Sequence, residues 1–458
     1  IVIENTKREL DSKIYLAIVA ARNNWSVVIG NKSNFNKQIK NFKKGVVFLK
    51  SIGERYVDLI KKGKELGHKF VSTDEEGINF FSEERLILRM NEHNYKELEC
   101  FFSWGKRDSK IINEHFPEKK EKNFVVGNPR IDVIKQPLNQ KYKKHAAEIL
   151  KKNGNFILLA SNFGKVLRST RTDWVEDYIK AGIIKTKEEI QFEKEAVEFE
   201  RKNMDKFIEL TKKLSSEFPN KKFIFRPHPT EDFLYWEKIF KNCKNLKVNK
   251  DNYSTNNYII ASDILITSNC VTNIESYFLK KNSINFIPYN DQRFEFELSK
   301  LCSININKIE EVIEFIDKKR YEESAKQNSS VKNDIKNILH NFDKLDSSEE
   351  IMKIINSLNA NIEDNESKDL KIPKIFFFIR IKSYLYRIYN FIKVYYNLYI
   401  KKNPGPYHLR LVALNKKDSV SSKLINETIN SYLEYKNYEK NISSFELYKG
   451  LFCIQKDK

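Results

Sequence analysis

A histidine between two prolines is the first feature of this sequence that could carry chemistry. The apolar run 223–225 leads into Arg226, Pro227, His228 and Pro229. Because proline fixes the backbone and ends a strand, the imidazole of His228 is predicted at the carboxyl edge of a sheet, where open α/β folds bind ligands. There it can hydrogen-bond or protonate a leaving phosphate, and Arg226 adds a permanent positive charge. The alternative is a loop histidine that caps a helix or pairs with Asp232.

A second candidate site follows another apolar strand and opens a helix. Its polar residues are Thr267, Ser268, Asn269, Thr272, Asn273 and Glu275. Backbone N–H groups at a helix N-terminus, together with hydroxyl and amide side chains, suit a phosphate or diphosphate. Ordinary N-capping by Ser268 or Asn269 requires the same residue types, so both interpretations stay open.

Adjacent carboxylates form the third candidate, in the first half of the chain. Asp74, Glu75, Glu76 and Gly77 follow the strand-like segment 69–73. One acid at a strand end can act as a general base, and the glycine permits a tight turn. A solvated acidic turn is the competing interpretation.

Two weaker signals lie where the halves of the chain meet. The segment Gly127-Asn128-Pro129-Arg130, with Asp132, is expected to shape a hinge or the floor of a cleft. Asn162 follows the first strand of the second half and could contact a donor or an acceptor. The other histidines show no metal-ligand spacing, and the five scattered cysteines form no CxxC pair, so we expect neither a zinc site nor a disulfide framework.

Short apolar strands alternate with amphipathic helices through most of the chain. This rhythm predicts parallel sheets with helices on both faces. We expect an α/β protein with two Rossmann-like, doubly wound domains that face a cleft, followed by a helical C-terminal tail. The expected boundaries are 1–135, 154–345 and 346–458. Neither domain carries a Gly-rich dinucleotide fingerprint.

The composition limits the class of protein. The chain has 458 residues, 40% of them hydrophobic, which excludes a chain disordered throughout. No apolar run approaches the roughly 18–20 residues needed to cross a bilayer, so a polytopic membrane protein is excluded. The net charge of +20 suggests a polyanionic partner, which could be nucleic acid, anionic lipid or a phosphorylated substrate. Because Ile1-Val2-Ile3 already has the pattern of a buried strand, we expect a few residues to precede it.

Several of these segments resemble known families. The opening segment 4–30 resembles bacterial surface carbohydrate biosynthesis proteins. The DEEG and HP motifs are similar to the D/E-D/E-G and HP motifs of GT-B-fold sialyltransferases and polysialyltransferases, and the segment 267–275 is similar to their Ser/Thr motif. RPHP, GNPR and the SN..TNIE segment also resemble teichoic-acid glycerophosphotransferases and Kdo transferases. The resemblance covers roughly residues 1–340.

The resemblance implies a GT-B-like fold and roles for named residues. Glu75 would be the general base with Glu76 beside it, although the extra acid, Asp74, could displace the base by one position. His228 would contact the CMP phosphate and act as an acid toward the leaving group. The implied donor-binding set is Arg226, Ser268, Asn269, Thr272, Glu275 and Asn162. No metal is required if His228, Arg226 and a helix N-terminus neutralise the leaving charge.

The implied function is a glycosyltransferase of capsule or lipopolysaccharide biosynthesis. It would transfer an acidic sugar, sialic-acid-like or Kdo, from a CMP-linked donor to a glycan or lipid-linked acceptor, and would need no cofactor. Whether configuration is inverted or retained stays open. The closest alternative is a CDP-glycerol-type glycerophosphotransferase. A nucleic-acid-binding protein is a distant alternative, because no RNA- or DNA-binding motif is present.

The tail suggests a membrane surface as a further partner. Residues 374–402 contain seven basic residues, no acidic residues and ten Tyr or Phe, with apolar and basic positions on opposite sides at helical spacing. We expect an interfacial helix on the anionic inner membrane, and therefore a cytoplasmic, peripheral enzyme. The alternative is a helix that packs across the two domains of the enzyme.

Overall fold

The computed structural model describes residues 1–457 except 5, 79–81, 170–171, 181, 252, 323–328, 344, 360–420 and 449. The predicted amphipathic helix at 374–402 lies outside the described residues. Among the described helices, none is long and apolar enough to span a membrane.

The strands are β1 (Val2–Ile3), β2 (Val27–Asn31), β3 (Val46–Leu49), β4 (Lys69–Thr73), β5 (Cys100–Ser103), β6 (Asn123–Val125), β7 (Ile157–Ala160), β8 (Phe223–Arg226), β9 (Leu246–Val248), β10 (Leu265–Thr267), β11 (Ser283–Phe286), β12 (Ile304–Ile306), β13 (Ile442–Tyr448) and β14 (Leu451–Lys456).

The helices are α1 (Thr6–Arg22), α2 (Lys32–Gln38), α3 (Val57–Glu65), α4 (Glu83–Ile87), α5 (Glu92–Lys96), α6 (Lys106–His115), α7 (Pro129–Asp132), α8 (Gln140–Asn153), α9 (Trp174–Lys180), α10 (Lys187–Glu217), α11 (Phe233–Ile239), α12 (Thr255–Ala261), α13 (Thr272–Phe278), α14 (Glu297–Leu301), α15 (Ile309–Asp317), α16 (Ser329–Ile338), α17 (Ser347–Asn359) and α18 (Ser422–Tyr435).

The first half of the chain builds a parallel sheet in the order β3-β4-β5-β6. β1 pairs in parallel with β2 and also contacts β3, so the strands follow the order β2-β1-β3-β4-β5-β6, with the ladder interrupted between β1 and β3. Most residues of β3, β4 and β5 are buried, as in parallel sheets covered by helices, whereas those of β6 are half-buried. Their carboxyl ends therefore bring the starts of the segments 4–9, 50–53 and 74–77 to one edge.

The second half builds a parallel sheet of six strands in the order β12-β11-β10-β7-β8-β9. The strand order reverses between β7 and β10, which is the switch point of a doubly wound fold. The segments that follow β7, β8 and β10 hold Asn162, His228 and Ser268, and all three lie at the carboxyl edge of this sheet. The predicted α/β class with parallel sheets and helices is confirmed.

The C-terminal segment differs from the expected helical tail. α17 and α18 are helical, but β13 and β14 form an antiparallel hairpin, and β14 pairs antiparallel with β2. Leu451 lies opposite Gly30, and a Cβ at Gly30 would lie only 2.4 Å from the Gly450 carbonyl oxygen. The predicted all-helical tail is therefore wrong for residues 442–456. Their strand β14 extends the sheet of β2, which lies more than 400 positions earlier in the chain.

The chain returns to its first half before this hairpin. In α17, Asn356 accepts a hydrogen bond of 2.9 Å from the indole of Trp25. Just before α17, Asp346 accepts one from the hydroxyl of Tyr15, which lies within the buried helix α1. α1 therefore packs against both α17 and α18. Residues beyond the second sheet thus complete the helical layer of the first.

Candidate active site

The loop after β8 holds His228 by its backbone. The His228 N–H donates to Ser161 Oγ at 3.2 Å, which ties this loop to the segment after β7. Gly164 in that segment passes directly over the loop, since a Cβ at this position would lie 2.6 Å from Thr230 Oγ1. The ring of His228 is partly exposed. The backbone is therefore anchored while the imidazole reaches an open space at the carboxyl edge.

The imidazole of His228 is neutral at physiological pH. Its burial lowers the pKa of His228 to about 4; the positive charge of Arg8 adds to this effect and the carboxylate of Glu76 opposes it. The Thr230 N–H donates to Nδ1 at 3.4 Å, and Thr230 Oγ1 lies 2.8 Å from the same nitrogen. Because Nδ1 accepts, the proton of the neutral ring is on Nε2, which makes Nε2 a hydrogen-bond donor.

The three acids after β4 have different surroundings. Asp74 accepts two hydrogen bonds from Arg89, at 2.9 and 2.7 Å. Glu75 is buried and ion-paired with Lys13, whose side chain is 0% exposed. The Glu76 side chain is 31% exposed and pairs with Arg8. The turn therefore fixes two of the acids in the first half and leaves Glu76 at the edge of the sheet.

Glu76 is the acid that shares an electrostatic environment with His228. Burial alone would raise the pKa of Glu76, but the guanidinium groups of Arg8 and Arg130 hold it below its usual value. The carboxylate is thus ionised at neutral pH. Since the charges of Arg8 and Glu76 act on His228, the acidic turn and the HP motif lie close enough to interact electrostatically.

Arg130 of the first half contacts a carboxylate of the second, and Arg8 acts on the same carboxylate electrostatically. Arg130 Nη2 lies 3.4 Å from Glu275 Oε1, and their side chains are only 10% and 18% exposed. Burial raises the pKa of Glu275, against the effect of Arg130 and Arg8. The sequence analysis did not predict Arg8 as a site residue. Its position shortly after the end of β1 could have indicated that it lies at the carboxyl edge of the sheet. Arg130 lies in the GNPR segment expected at the cleft floor.

Arg226 occupies a structural position. Its guanidinium donates to Asp251 Oδ1 at 2.9 Å and to the Tyr253 carbonyl oxygen at 2.8 Å, and it stacks over the ring of Tyr258. These contacts hold the end of β8 against α12. The structure does not bring this predicted donor-binding residue to the other site residues.

The segment after β10 is held by Asn269. Its φ of 46° is in the left-handed region, which asparagine tolerates better than most residues. Its side chain donates to the Phe294 carbonyl oxygen and accepts from the Phe296 N–H, each at 2.7 Å. Asn162 donates to the Asn269 carbonyl oxygen at 2.8 Å. Asn162 and Asn269 therefore connect the ends of β7 and β10 across the switch point.

Ser268 and Thr272 lie beside this connection. Ser268 is 3% exposed. The hydroxyl oxygen of Thr272 is buried, without a hydrogen-bond partner among the described residues. These two residues lie next to the switch point between β7 and β10.

A buried carboxyl group that the sequence analysis missed supports the histidine loop. Glu231 accepts hydrogen bonds from Ser161 Oγ at 2.5 Å, from the Phe163 N–H at 2.6 Å and from the indole of Trp236 at 2.7 Å. Burial raises the pKa of Glu231 to about 7, although these hydrogen bonds oppose the shift. Ser161 thus bridges Glu231 and the backbone of His228. In the sequence, only the position of this glutamate, three residues after His228, could have indicated its role.

Asp132 anchors the chain where it returns to the first half. It accepts hydrogen bonds from the N–H groups of Ser347 and Ser348, at 3.1 and 3.0 Å, at the start of α17. Asn341 adds a third at 2.8 Å. The GNPR segment therefore carries a structural anchor beside Arg130, which faces the cleft. The described residues contain no group of His, Cys, Asp and Glu arranged to hold a metal ion.

No protein-family model matches this chain, and no curated protein matches it. Solved structures match with low identity. UDP-GlcNAc 2-epimerase of Methanocaldococcus jannaschii, in complex with UDP-GlcNAc and UDP, is 15% identical, covers 77% of this chain and 82% of its own, and has a TM-score of 0.44.

Two further solved structures are also similar to this chain. MnaA of S. aureus with UDP is 14% identical over 80% of this chain and 84% of its own, with a TM-score of 0.45. The wall teichoic acid polymerase TagF is 11% identical over 79% of this chain and 100% of its own, with a TM-score of 0.38. The function proposed below therefore rests on the residues of this chain.

Proposed function

We propose that this protein is a glycosyltransferase of bacterial surface polysaccharide biosynthesis that takes an acidic sugar from a CMP-linked donor. The observation that carries the proposal is the shared environment of Glu76 and His228. The ionised carboxylate of the first half acts electrostatically on the neutral imidazole of the second, and Arg8, which pairs with the carboxylate, acts on the same imidazole. A base, a hydrogen-bond donor and a positive charge are the groups that transfer from a phosphate leaving group needs.

In the proposed reaction, the oxygen of an acceptor hydroxyl bonds to the anomeric carbon of the donor sugar, and the bond from that carbon to the phosphate oxygen breaks. The hydroxyl proton passes to the Glu76 carboxylate, and the bonding electron pair stays with CMP. We assign the base to Glu76 rather than Glu75, because Glu75 is buried against Lys13. This is the one-position displacement that the third acid of the motif allows.

His228 acts in this scheme as a hydrogen-bond donor. With a pKa of about 4 it carries no charge at neutral pH, and its Nε2–H can donate to the phosphate oxygen on which charge develops. A phosphate monoester ionises readily near neutral pH, so the departing CMP does not require full protonation. Arg8 supplies the positive charge that was first expected from Arg226.

The donor phosphate would lie against the segment after β10. Ser268 and Thr272 offer hydroxyl groups, and Asn162 and Asn269 fix the backbone between β7 and β10. Glu275 is ion-paired with Arg130, so we assign it to joining the halves of the chain rather than to the phosphate.

The test compares three donors with one variant and one control. CMP-sialic acid, CMP-Kdo and CDP-glycerol are each incubated with a polysaccharide acceptor, and released nucleotide and modified acceptor are measured. Transfer from a CMP-sugar by the natural protein, lost in His228→Ala and kept in His93→Ala, supports the proposal; His93 is exposed on α5. Full turnover by His228→Ala rejects the assigned role, and transfer from CDP-glycerol alone selects the glycerophosphotransferase.

A further inference from the structure

A large groove lies at the edge of the second sheet opposite His228. It has a volume of about 1320 Å³ and is lined by residues at or just before the amino ends of β7, β8, β10, β11 and β12, together with residues of α16, Phe342 and Asp343. Seven lysines line it and only three acids: Lys135, Lys221, Lys222, Lys280, Lys281, Lys319 and Lys332, against Asp263, Glu322 and Asp343. No proposed catalytic residue takes part in it.

Most of this positive charge is not neutralised within the protein. Lys222 and Lys281 donate to the carbonyl oxygens of Asn153 and Ser262, each at 2.8 Å, which holds their ammonium groups in place without cancelling their charge. Of the acids, Asp343 already pairs with Lys336, outside the groove, at 2.7 Å. Among the described residues, Lys280 and Lys332 have no ion-pair or hydrogen-bond partner. Two of the seven lysines have ion-pair partners, Lys135 with Asp132 at 3.8 Å and Lys319 with Glu322 at 3.9 Å, so the groove is a basic surface with fewer counter-ions than lysines.

The lysines are too far apart for a single small anion. Lys221 and Lys222 precede β8, whereas Lys280 and Lys281 precede β11, and the sheet order places β7 and β10 between them. Three inter-strand steps of about 4.8 Å separate these two pairs by roughly 14 Å. A ligand that engages both pairs must carry several negative charges along an extended chain.

The residue types favour an acidic glycan over nucleic acid or a bilayer. No arginine lines the groove, although arginine is the residue best suited to bidentate phosphate recognition. Of the five aromatic residues at the groove, Phe156 is buried, and Tyr277, Phe278 and Phe342 pack against each other with ring centroids 5.5–5.8 Å apart. Only Tyr321 remains to stack on a base. A concave groove also does not match a flat bilayer surface.

We infer that this groove binds the acidic polysaccharide chain that the enzyme extends, at a second site remote from the reacting end. The choice of occupant rests on the proposed function, whereas the presence of a polyanion site rests on the groove alone. Holding the polymer at a second site raises the effective concentration of its end at the cleft. The expected consequence is longer products on long acceptors, with no effect on short ones.

The test uses Lys221→Gln, Lys280→Gln and Lys332→Gln together, and a matched control with Lys187→Gln, Lys194→Gln and Lys212→Gln on the exposed face of α10. The probe is a fluorescein-labelled sialic acid oligomer long enough to span the groove. We expect the groove variant to bind it at least about tenfold more weakly than the natural protein, with loss of the salt dependence, and the control to bind it unchanged.

Further measurements distinguish the acidic glycan from other ligands of the groove, and distinguish this inference from the proposed function. Equal binding of the oligomer by both variants, or tighter binding of single-stranded RNA or phosphatidylglycerol vesicles through the same lysines, overturns the inference. His228→Ala should bind the oligomer normally while it loses transfer. Binding therefore reports on the groove, and turnover reports on the proposed function.

Discussion

Glu76 and His228 come from different halves of the chain, and the charge of the Glu76 carboxylate acts on the imidazole of His228. Arg8 acts on both residues, because it pairs with Glu76 and lowers the pKa of His228. The neighbouring Glu75 is instead closed off by Lys13. Of the three consecutive acids, Glu76 is therefore the one available to act together with His228.

Glu76→Gln should therefore reduce turnover more than Glu75→Gln does in the folded protein. Loss of a general base typically lowers kcat by about 10²–10⁴-fold, with a smaller change in KM. Steady-state kinetics on both variants checks this, with Glu83→Gln as the control because Glu83 is exposed on α4. If Glu75→Gln keeps its melting temperature but loses turnover while Glu76→Gln stays active, the base is Glu75.

Removing one partner of the buried pair should destabilise the first half. Lys13→Met leaves the Glu75 carboxylate buried without its cation, which typically costs about 3–5 kcal/mol. Thermal denaturation followed by circular dichroism should show a clearly lower melting temperature. The double variant Lys13→Met with Glu75→Leu should recover much of the loss, and Lys187→Met should change nothing. A single variant as stable as the natural protein would contradict the buried pair.

His228 should titrate far below an ordinary histidine. Its pKa of about 4 means that the neutral imidazole is favoured by the folded state, so this stability contribution is present above the unfolded value of about 6.5 and is lost as pH falls toward 4. Nuclear magnetic resonance of ¹³C-labelled imidazoles should show this midpoint. Arg8→Gln should raise it by removing a nearby positive charge. A midpoint near 6.5 in the natural protein contradicts the buried environment.

Glu231 should position the histidine loop and make the stability of the folded protein depend on pH. Its folded pKa of about 7 exceeds the unfolded value of 4.5, so its contribution to stability is present below pH 4.5 and is lost as pH rises through 7. We expect the melting temperature of the natural protein to fall between pH 5 and 8, and this slope to be smaller in Glu231→Gln.

Removing the side chain of Glu231 tests the positioning role itself. Glu231→Ala leaves the Ser161 hydroxyl, the Phe163 N–H and the Trp236 indole without their acceptor, at roughly 1–3 kcal/mol for each buried unpaired group. Turnover should fall more than donor affinity, because His228 would be misplaced rather than removed. Glu237→Ala on α11 is the control. Unchanged kcat in Glu231→Ala would reject the role.

The sequence was sufficient to predict where strands end, but not which groups surround a given side chain in the folded protein. The strand ends before Asp74 and His228 could be recognised, since apolar runs and prolines mark them locally. The choice among three adjacent acids could not, because it depends on where α1 places Lys13 and Arg8. Arg226 is held by Asp251 and Tyr258, because strand alternation puts its side chain on the same face of β8 as Ile224. The pairing of β14 with β2 is too distant in sequence for local patterns.

The hairpin also changes how membrane binding by residues 374–402 must be tested. Deleting everything after 374 would remove α18 and β14, which pack on α1 and β2, so loss of binding could reflect unfolding. Lys382→Gln, Arg387→Gln and Lys393→Gln leave α18 and β14 in the chain and remove three positive charges. At about 1 kcal/mol for each basic residue near an anionic surface, co-sedimentation with phosphatidylglycerol vesicles should weaken by roughly 100-fold. The α10 triple lysine variant is the control, and equal sedimentation of both variants would contradict membrane binding by residues 374–402.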